Sequence, residues 1–284
     1  MKMRILGDPI RIRKAVLSFT GWPDAGKVVQ LTLDEMEKSL ACEPAAQWNM
    51  DGYWHTGSSR PEIVVRHGQI QRFDWPSYRF SICRLPSTEP VLIGTGPEPA
   101  MRWEAFAREL LGQLEQWGCR EIIFLGSLYD QISHEETVVS SVVQDILGFN
   151  RVREAGCLQI EYDGPAAVHS AIMEAAQEYD IHSVSVWAHF PFYLDGPHEM
   201  IMARLLKILG TLLGNRFDTR NLERRWQKRE KEIENLVLAN HELRHTLDAM
   251  RKGPKTATPD DRPSKLLRLD EFIKRRREIT HENE

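Results

Sequence analysis

Short apolar runs, each closed by a loop containing glycine or proline, recur along the first three quarters of the chain, and helical periodicity fills the gaps between them. Residues 15–20 (AVLSFT) are such a run, and a turn with Gly21, Pro23 and Gly26 follows. Ala25, Val29, Leu33, Met36 and Leu40 then recur at spacings of four and three, the period of one helix face. Residues 63–65 and 70–73 flank His67-Gly68 as the strands of a hairpin would. Residues 78–84 and 90–94 read as two more strands. Trp103, Phe106, Ala107, Leu110, Leu114 and Trp117 stripe a helix that Gly118 is placed to stop. Beyond it the pattern predicts a buried strand at 122–125, a helix at 137–147, a strand at 157–162, a helix at 165–179, a strand at 184–189 and a strongly apolar helix at 198–213. Strands this apolar need cover on both faces, and helices between them supply it. The expected fold class is therefore α/β: a three-layer αβα core with a mixed, largely parallel sheet over residues 1–216.

Past Gly214 the period becomes a heptad. Trp226, Ile233, Asn240 and Leu247 take position a; Leu222, Arg229, Leu236, Leu243 and Met250 take position d. Two of these nine residues are polar, and an Asn at position a is a known register-setting device. Residues 217–252 are thus expected to form a coiled-coil helical arm, paired between chains or folded back on its own core. Residues 253–284 read as a disordered linker and a short amphipathic tail helix carrying the basic run 274–277.

Charge and cysteine content limit the function classes. The 284 residues carry a net charge of −4, which predicts no bulk attraction to nucleic acid or to an anionic membrane. The first residues lack the apolar stretch of a secretory signal, and no apolar run reaches the ~18 residues of a membrane span. Cys42, Cys83, Cys119 and Cys157 are scattered, which reads as four reduced thiols of a cytoplasmic protein.

Two catalytic signatures occur, and chemistry argues against both. The stretch 21–27 (GWPDAGK) fits a phosphate-binding loop between a strand and a helix. Val28 stands where the Mg²⁺-binding hydroxyl belongs, however, and Pro23 removes an amide donor. Residues 241–245 (HELRH) spell a zinc-protease helix, but the heptad places His241, Glu242 and His245 on the solvent side of the arm. No cofactor and no metal are expected, and no residue is assigned a catalytic role.

Three further loops follow strands: 94–99 (GTGPEP), 126–134 and 189–193 (HFPFY). Open α/β sheets place their ligands at the carboxyl ends of strands. If the strands are largely parallel, Gly21, Trp22, Asp24, Gly26, Glu98, Trp103, His134, His189 and Tyr193 gather at one edge as a ligand or partner surface. Trp22, Trp103 and Tyr193 would supply apolar bodies with polar tips.

In series these stretches resemble the proteasome-assembly-chaperone family, the archaeal and bacterial relatives of the second eukaryotic proteasome assembly chaperone. The matching segments are 19–26 (FTGWPDAG), 94–99 with Trp103, 125–127 (LGS), 162–165 (YDGP) and 186–193 (VWAHFPFY), in the family's order over about residues 1–215. One segment departs from it: where the family often has a Pro-His-Thr-Arg-Pro-like loop, residues 133–137 read SHEET, so a carboxylate replaces a guanidinium. The resemblance implies a core similar in fold to nucleoside phosphorylases and hydrolases, and self-association as a dimer or trimer. It supplies no reaction. The resulting expectation is a non-enzymatic, homo-oligomeric interaction or assembly factor with a protein partner. The alternative is a protein or enzyme of phosphorylase or hydrolase type that binds an anion or a nucleoside-like molecule.

Overall fold

The computed structural model describes residues 3–57, 60–86, 89–241, 244, 245 and 247. In chain order the elements are β1 (Met3–Ile5), β2 (Lys14–Thr20), α1 (Val28–Ser39), β3 (Ala41–Asn49), β4 (Glu62–Arg66), β5 (Gln69–Asp74), β6 (Ser77–Arg84), β7 (Val91–Pro97), α2 (Trp103–Gln116), β8 (Glu121–Asp130), β9 (Val139–Val143), α3 (Ile146–Glu154), β10 (Leu158–Gln159), α4 (Val168–Ala176), β11 (His182–Pro191), α5 (Glu199–Leu213) and α6 (Arg220–Ala239).

Nine strands make one sheet in the order β1-β3-β6-β7-β2-β8-β11-β9-β10, and β4 and β5 pair separately. Its centre, β7-β2-β8-β11, is parallel. The flanking strands β6, β3 and β1 on one side, and β9 on the other, run antiparallel to their inner neighbours. Along β2 and β8 successive side chains enter opposite cores, as the two-residue period of a strand requires. Val16, Ile123 and Leu125 pack with Val29 and Leu33 of α1 and Leu205 and Leu209 of α5. Ala15, Leu17, Phe19, Ile122 and Phe124 pack with Phe106 and Leu110 of α2 and Val168 and Ile172 of α4. This is the three-layer arrangement that the apolar runs demanded.

Three local expectations are corrected. Residues 137–147 are not a helix: Val139–Val143 form β9, and the helix begins only at Ile146, where the Asp145 carboxylate accepts from Gly148 N–H at 2.6 Å. The β-branched Val-Val-Ser-Ser-Val-Val run fits a pleated, half-buried strand better than a helix. The strand expected at 157–162 shrinks to the pair Leu158–Gln159. The cysteines are not all free. Cys42 and Cys83 sit directly opposite in the β3–β6 ladder and are joined by a disulfide, whereas Cys119 and Cys157 are free and buried. A separation of 41 residues conceals that register.

Helix α6 lies on the core of its own chain. Leu222, Trp226 and Ile233 are buried among α1 and α5 side chains, with Leu236 partly buried beside them. The Trp226 ring stacks on His198 at 3.8 Å between centroids. Asn240 leaves the helical conformation, with φ −116° and ψ 100°, and Leu247 is buried in the same core cluster. Leu243, Met250 and residues 253–284 fall outside the described residues. Among the described residues no helix is long and apolar enough to cross a membrane.

Candidate functional site

The parallel centre carries the turns after β2, β7, β8 and β11 to one edge. Glu98 N–H donates to the Thr20 carbonyl at 3.0 Å, and Asp24 forms a bridge with Ser127 of β8. Asp24, Glu98 and His189 therefore share the carboxyl-terminal edge of the sheet, although they come from three distant segments.

The glycine loop is closed by its own carboxylate. Asp24 is buried, and its two oxygens accept from the backbone N–H of Val29 at 2.9 Å and Gln30 at 3.2 Å. These are amides of the first turn of α1, the donors that would otherwise cradle a phosphate. Ser127 Oγ sits 3.1 Å from both Asp24 Oδ1 and the Ala25 carbonyl. Burial pushes the Asp24 carboxyl up to about 6, against the pull of these hydrogen bonds. Gly26 and Lys27 both adopt positive φ to turn the chain into the helix. A Cβ at Gly26 would meet Phe190 ring carbons at 2.4 Å, so the second glycine makes room for an aromatic of β11.

The other sequence candidates are also engaged internally. Glu98 Oε1 accepts from Val168 N–H at 2.9 Å and so caps α4, while burial raises its pKa. Trp103 Nε1–H donates to the Pro99 carbonyl at 2.5 Å. Tyr193 is buried; its hydroxyl accepts from His134 N–H and pairs with His134 Nδ1, each at 2.7 Å. His198, at the start of α5, accepts from Ile201 N–H at Nδ1 and reaches the His134 carbonyl from Nε2 at 3.1 Å. A neutral ring protonated at Nε2 satisfies both contacts, and burial holds its pKa down at about 3.

A family model for the PAC2 family matches residues 18–237, which include every segment of this edge. The chain belongs to the PAC2 family. Among solved structures, a proteasome-assembly chaperone homologue from Mycobacterium tuberculosis is 26% identical, with a TM-score of 0.74 over 82% of this chain and 99% of its own. A PAC2 family protein from Streptomyces avermitilis is 24% identical, with a TM-score of 0.71 over 83% and 100%. PbaB from Pyrococcus furiosus, an archaeal proteasome activator, is 14% identical and shares the fold at a TM-score of 0.63 over 83% and 98%. No curated protein matches the sequence.

Sequence reasoning missed a relay at this PAC2 edge. His189 Nδ1 lies 2.7 Å from Asp130 Oδ2, and its Nε2 lies 2.8 Å from Ser140 Oγ. The connectivity is that of a hydrolase triad. Ser140, however, has no exposed surface, so a carbonyl carbon has no approach to its oxygen. The hydrogen bond from His189 holds the Asp130 pKa below the usual carboxylate range. Asp130 and Ser140 lie within or at the end of strands and carry no sequence motif. Large apolar side chains stand outward at this edge: Trp22 is 58% exposed, and Tyr129 and Met101 are also exposed, beside the exposed charged side chains of Lys27 and Arg102. Of the nine predicted edge residues, only Gly21 and Trp22 are exposed.

Two shallow clefts among the described residues lie away from this edge. One of about 440 Å³ opens at the amino-terminal ends of β2, β8 and β11, lined by Arg13, Lys14, Arg120, Glu121, Arg151 and His182. Its inner cations are committed: Lys14 and Arg151 both pair with Glu121 and both donate to the Leu212 carbonyl at the end of α5. His241 and His245 are exposed, Glu242 falls outside the described residues, and no three potential ligands converge on a metal position among the described residues.

Proposed function

We propose that this PAC2-family chain is a chaperone-like interaction factor without catalytic chemistry, which engages a protein partner through the rim around Trp22, Tyr129 and Met101. One observation carries the reading. The polar side chains of the edge, Asp24, Glu98, His134 and His189, are spent on internal hydrogen bonds, while large apolar side chains stand in solvent. An enzyme site shows the opposite distribution, with convergent polar groups facing a cavity. Exposed aromatics are the side chains that anchor protein interfaces. The relatives named as an assembly chaperone homologue and a proteasome activator point to proteasome subunits as the partner class.

The test is binding of the purified full chain to purified proteasome subunits of its own organism. Wild type is expected to retain them, and Trp22→Ala with Tyr129→Ala to weaken retention at least ~30-fold, as loss of an aromatic hot spot does. Equal retention by the variant, or no retention by wild type, would sink the proposal.

A further inference from the structure

At the amino-terminal ends of the parallel strands, the β2–β8 ladder aligns Lys14 with Glu121. Arg13 and Arg120, one step earlier on each strand, are therefore neighbours. The Arg13 carbonyl accepts from Arg120 N–H at 2.9 Å and from Glu121 N–H at 3.1 Å, which fixes the pair. Both arginines are exposed, and both line the cleft of about 440 Å³. That lining carries four permanent cations, Arg13, Lys14, Arg120 and Arg151, against two carboxylates, Glu121 and Asp145. Both carboxylates are already engaged: Glu121 by Lys14 and Arg151, and Asp145 by His182 and the Gly148 amide. Among the described residues, neither Arg13 nor Arg120 has an ion pair or a side-chain hydrogen bond. The excess of two positive charges is local, since the chain as a whole carries −4. Two like charges on adjacent strands repel, and a bound anion relieves that repulsion.

The opposite wall of the cleft is apolar. Leu147, in the first turn of α3, lines it and is 64% exposed, and Ile146 beside it is 67% exposed. The first turn of a solvent-facing helix ordinarily carries polar or acidic residues. We propose that this cleft docks an acidic segment of a protein partner: two carboxylates of the segment pair with Arg13 and Arg120, and an aliphatic side chain next to them covers Leu147. Charge and shape select this occupant. Guanidinium forks match carboxylates in bidentate pairs, and arginine is a frequent interface anchor. A bare inorganic anion gains nothing from the Leu147 wall, whereas an aliphatic side chain is buried by it. Glu121 and Asp145 in the lining repel the continuous phosphates of a nucleic acid. The site does not rest on the Trp22 rim. The ten residues of β8 run between the two edges, roughly 30 Å at the rise of an extended strand, so either surface can fail without the other.

Fluorescence anisotropy of the full chain at low ionic strength tests this with two labelled peptides, Asp-Glu-Leu-Asp-Glu-Leu and its uncharged counterpart Asn-Gln-Leu-Asn-Gln-Leu. Wild type is expected to bind the acidic peptide at least ~10-fold more tightly than the uncharged one. Arg13→Ala with Arg120→Ala should weaken acidic-peptide binding about 30-fold, and Leu147→Ser about 5-fold. Arg4→Glu, on β1 four strands from β2, changes the net charge by the same amount as the double variant and should alter binding less than ~2-fold. Circular dichroism reports whether the double variant is folded. Should it not be, Arg13→Lys with Arg120→Lys, which keeps the charge and loses the fork, is expected to weaken binding about 3-fold, and unchanged binding by it overturns the proposal. A wild type that does not distinguish the two peptides overturns it as well. So does a folded alanine variant that binds as tightly as wild type, or an equal loss in Arg4→Glu, which would reduce the effect to net charge.

Discussion

The carboxylate of Asp24 and the hydroxyl of Ser127, 103 residues apart in sequence, meet at 3.1 Å and join the ends of β2 and β8. The same carboxylate takes two amides of α1, so one buried acid closes the loop that otherwise imitates a phosphate site. Its pKa rises from 3.8 to about 6 because burial outweighs the hydrogen bonds. The folded state therefore holds this proton more tightly than the unfolded state, and stability from this group rises as pH falls from above 6 towards 3.8. The gap corresponds to about 3 kcal/mol at most. Asp130 acts with the opposite sign: its depressed pKa gives stability that is lost only as pH falls below 3.8. Urea denaturation at several pH values is expected to show wild type gaining on Asp24→Asn between pH 7 and 4. A difference that stays flat over that range would show that Asp24 is ionised without penalty.

Gly21 and Gly26 separate backbone strain from close packing. Both have positive φ, but an added Cβ at Gly21 meets nothing within 4 Å, whereas at Gly26 it strikes Phe190. Gly21→Ala should cost about 1–2 kcal/mol, from conformation alone. Gly26→Ala should cost about 3 kcal/mol or more, since ring displacement adds to the strain. Equal losses in denaturant titrations would mean that Phe190 yields freely.

The attachment of α6 centres on Glu199, which is 1% exposed and accepts from Arg229 Nε at 2.8 Å and Nη2 at 3.0 Å. Arg225 approaches the same carboxylate at 3.5 Å. Arg229→Ala leaves a buried charge short of its main partner and should cost about 3 kcal/mol. Trp226→Ala opens a cavity beneath the helix and should cost about 3–5 kcal/mol. Thermal unfolding of both variants checks this. Losses within ~0.5 kcal/mol of zero would make α6 a detachable arm.

The central architecture was legible because buried parallel strands read as near-continuous apolar runs: residues 122–125 are wholly apolar, and residues 15–20 are so but for Ser18 and Thr20. The shared edge of Asp24, Glu98 and His189 followed from strand direction alone. Other features were hidden because they depend on register across the fold. No local pattern shows that Cys42 faces Cys83, or that His189 lies between Asp130 and Ser140. Within α6 the residues Leu222, Trp226, Ile233 and Leu236 form an apolar stripe, yet a stripe does not say which surface receives it. Trp226 and Ile233 meet α1 and α5 of their own chain. The glycine of β7 serves packing that its own neighbours in sequence do not reveal: a Cβ at Gly94 would lie 2.6 Å from Leu17 and 2.8 Å from Tyr78.

The loop of residues 21–27 should bind no nucleotide. Val29 and Gln30 N–H are already bonded to Asp24, and a phosphate would have to displace a carboxylate tethered five residues away. Neither ATP nor inorganic phosphate is expected to raise the melting temperature, in wild type or in Lys27→Ala. Saturable binding that Lys27→Ala abolishes would show that Asp24 swings out of the helix terminus.

The Ser140–His189–Asp130 relay is the arrangement most easily mistaken for catalysis, and the distinction rests on access. A nucleophilic serine must present its oxygen to a carbonyl carbon with an oxyanion donor on the far side. Ser140 lies within β9, with no exposed surface, and its hydroxyl faces His189. The relay instead ties three neighbouring strands, since Asp130 ends β8, Ser140 lies in β9 and His189 in β11. A fluorophosphonate probe is therefore expected to leave Ser140 unlabelled in the folded chain. Ser140→Ala should cost about 1 kcal/mol of stability, the value of one buried hydrogen bond, because the histidine loses its second partner. Peptide mapping after probe treatment decides the point: a covalent adduct on Ser140, absent in the alanine variant, would make this edge a hydrolase site that opens in solution.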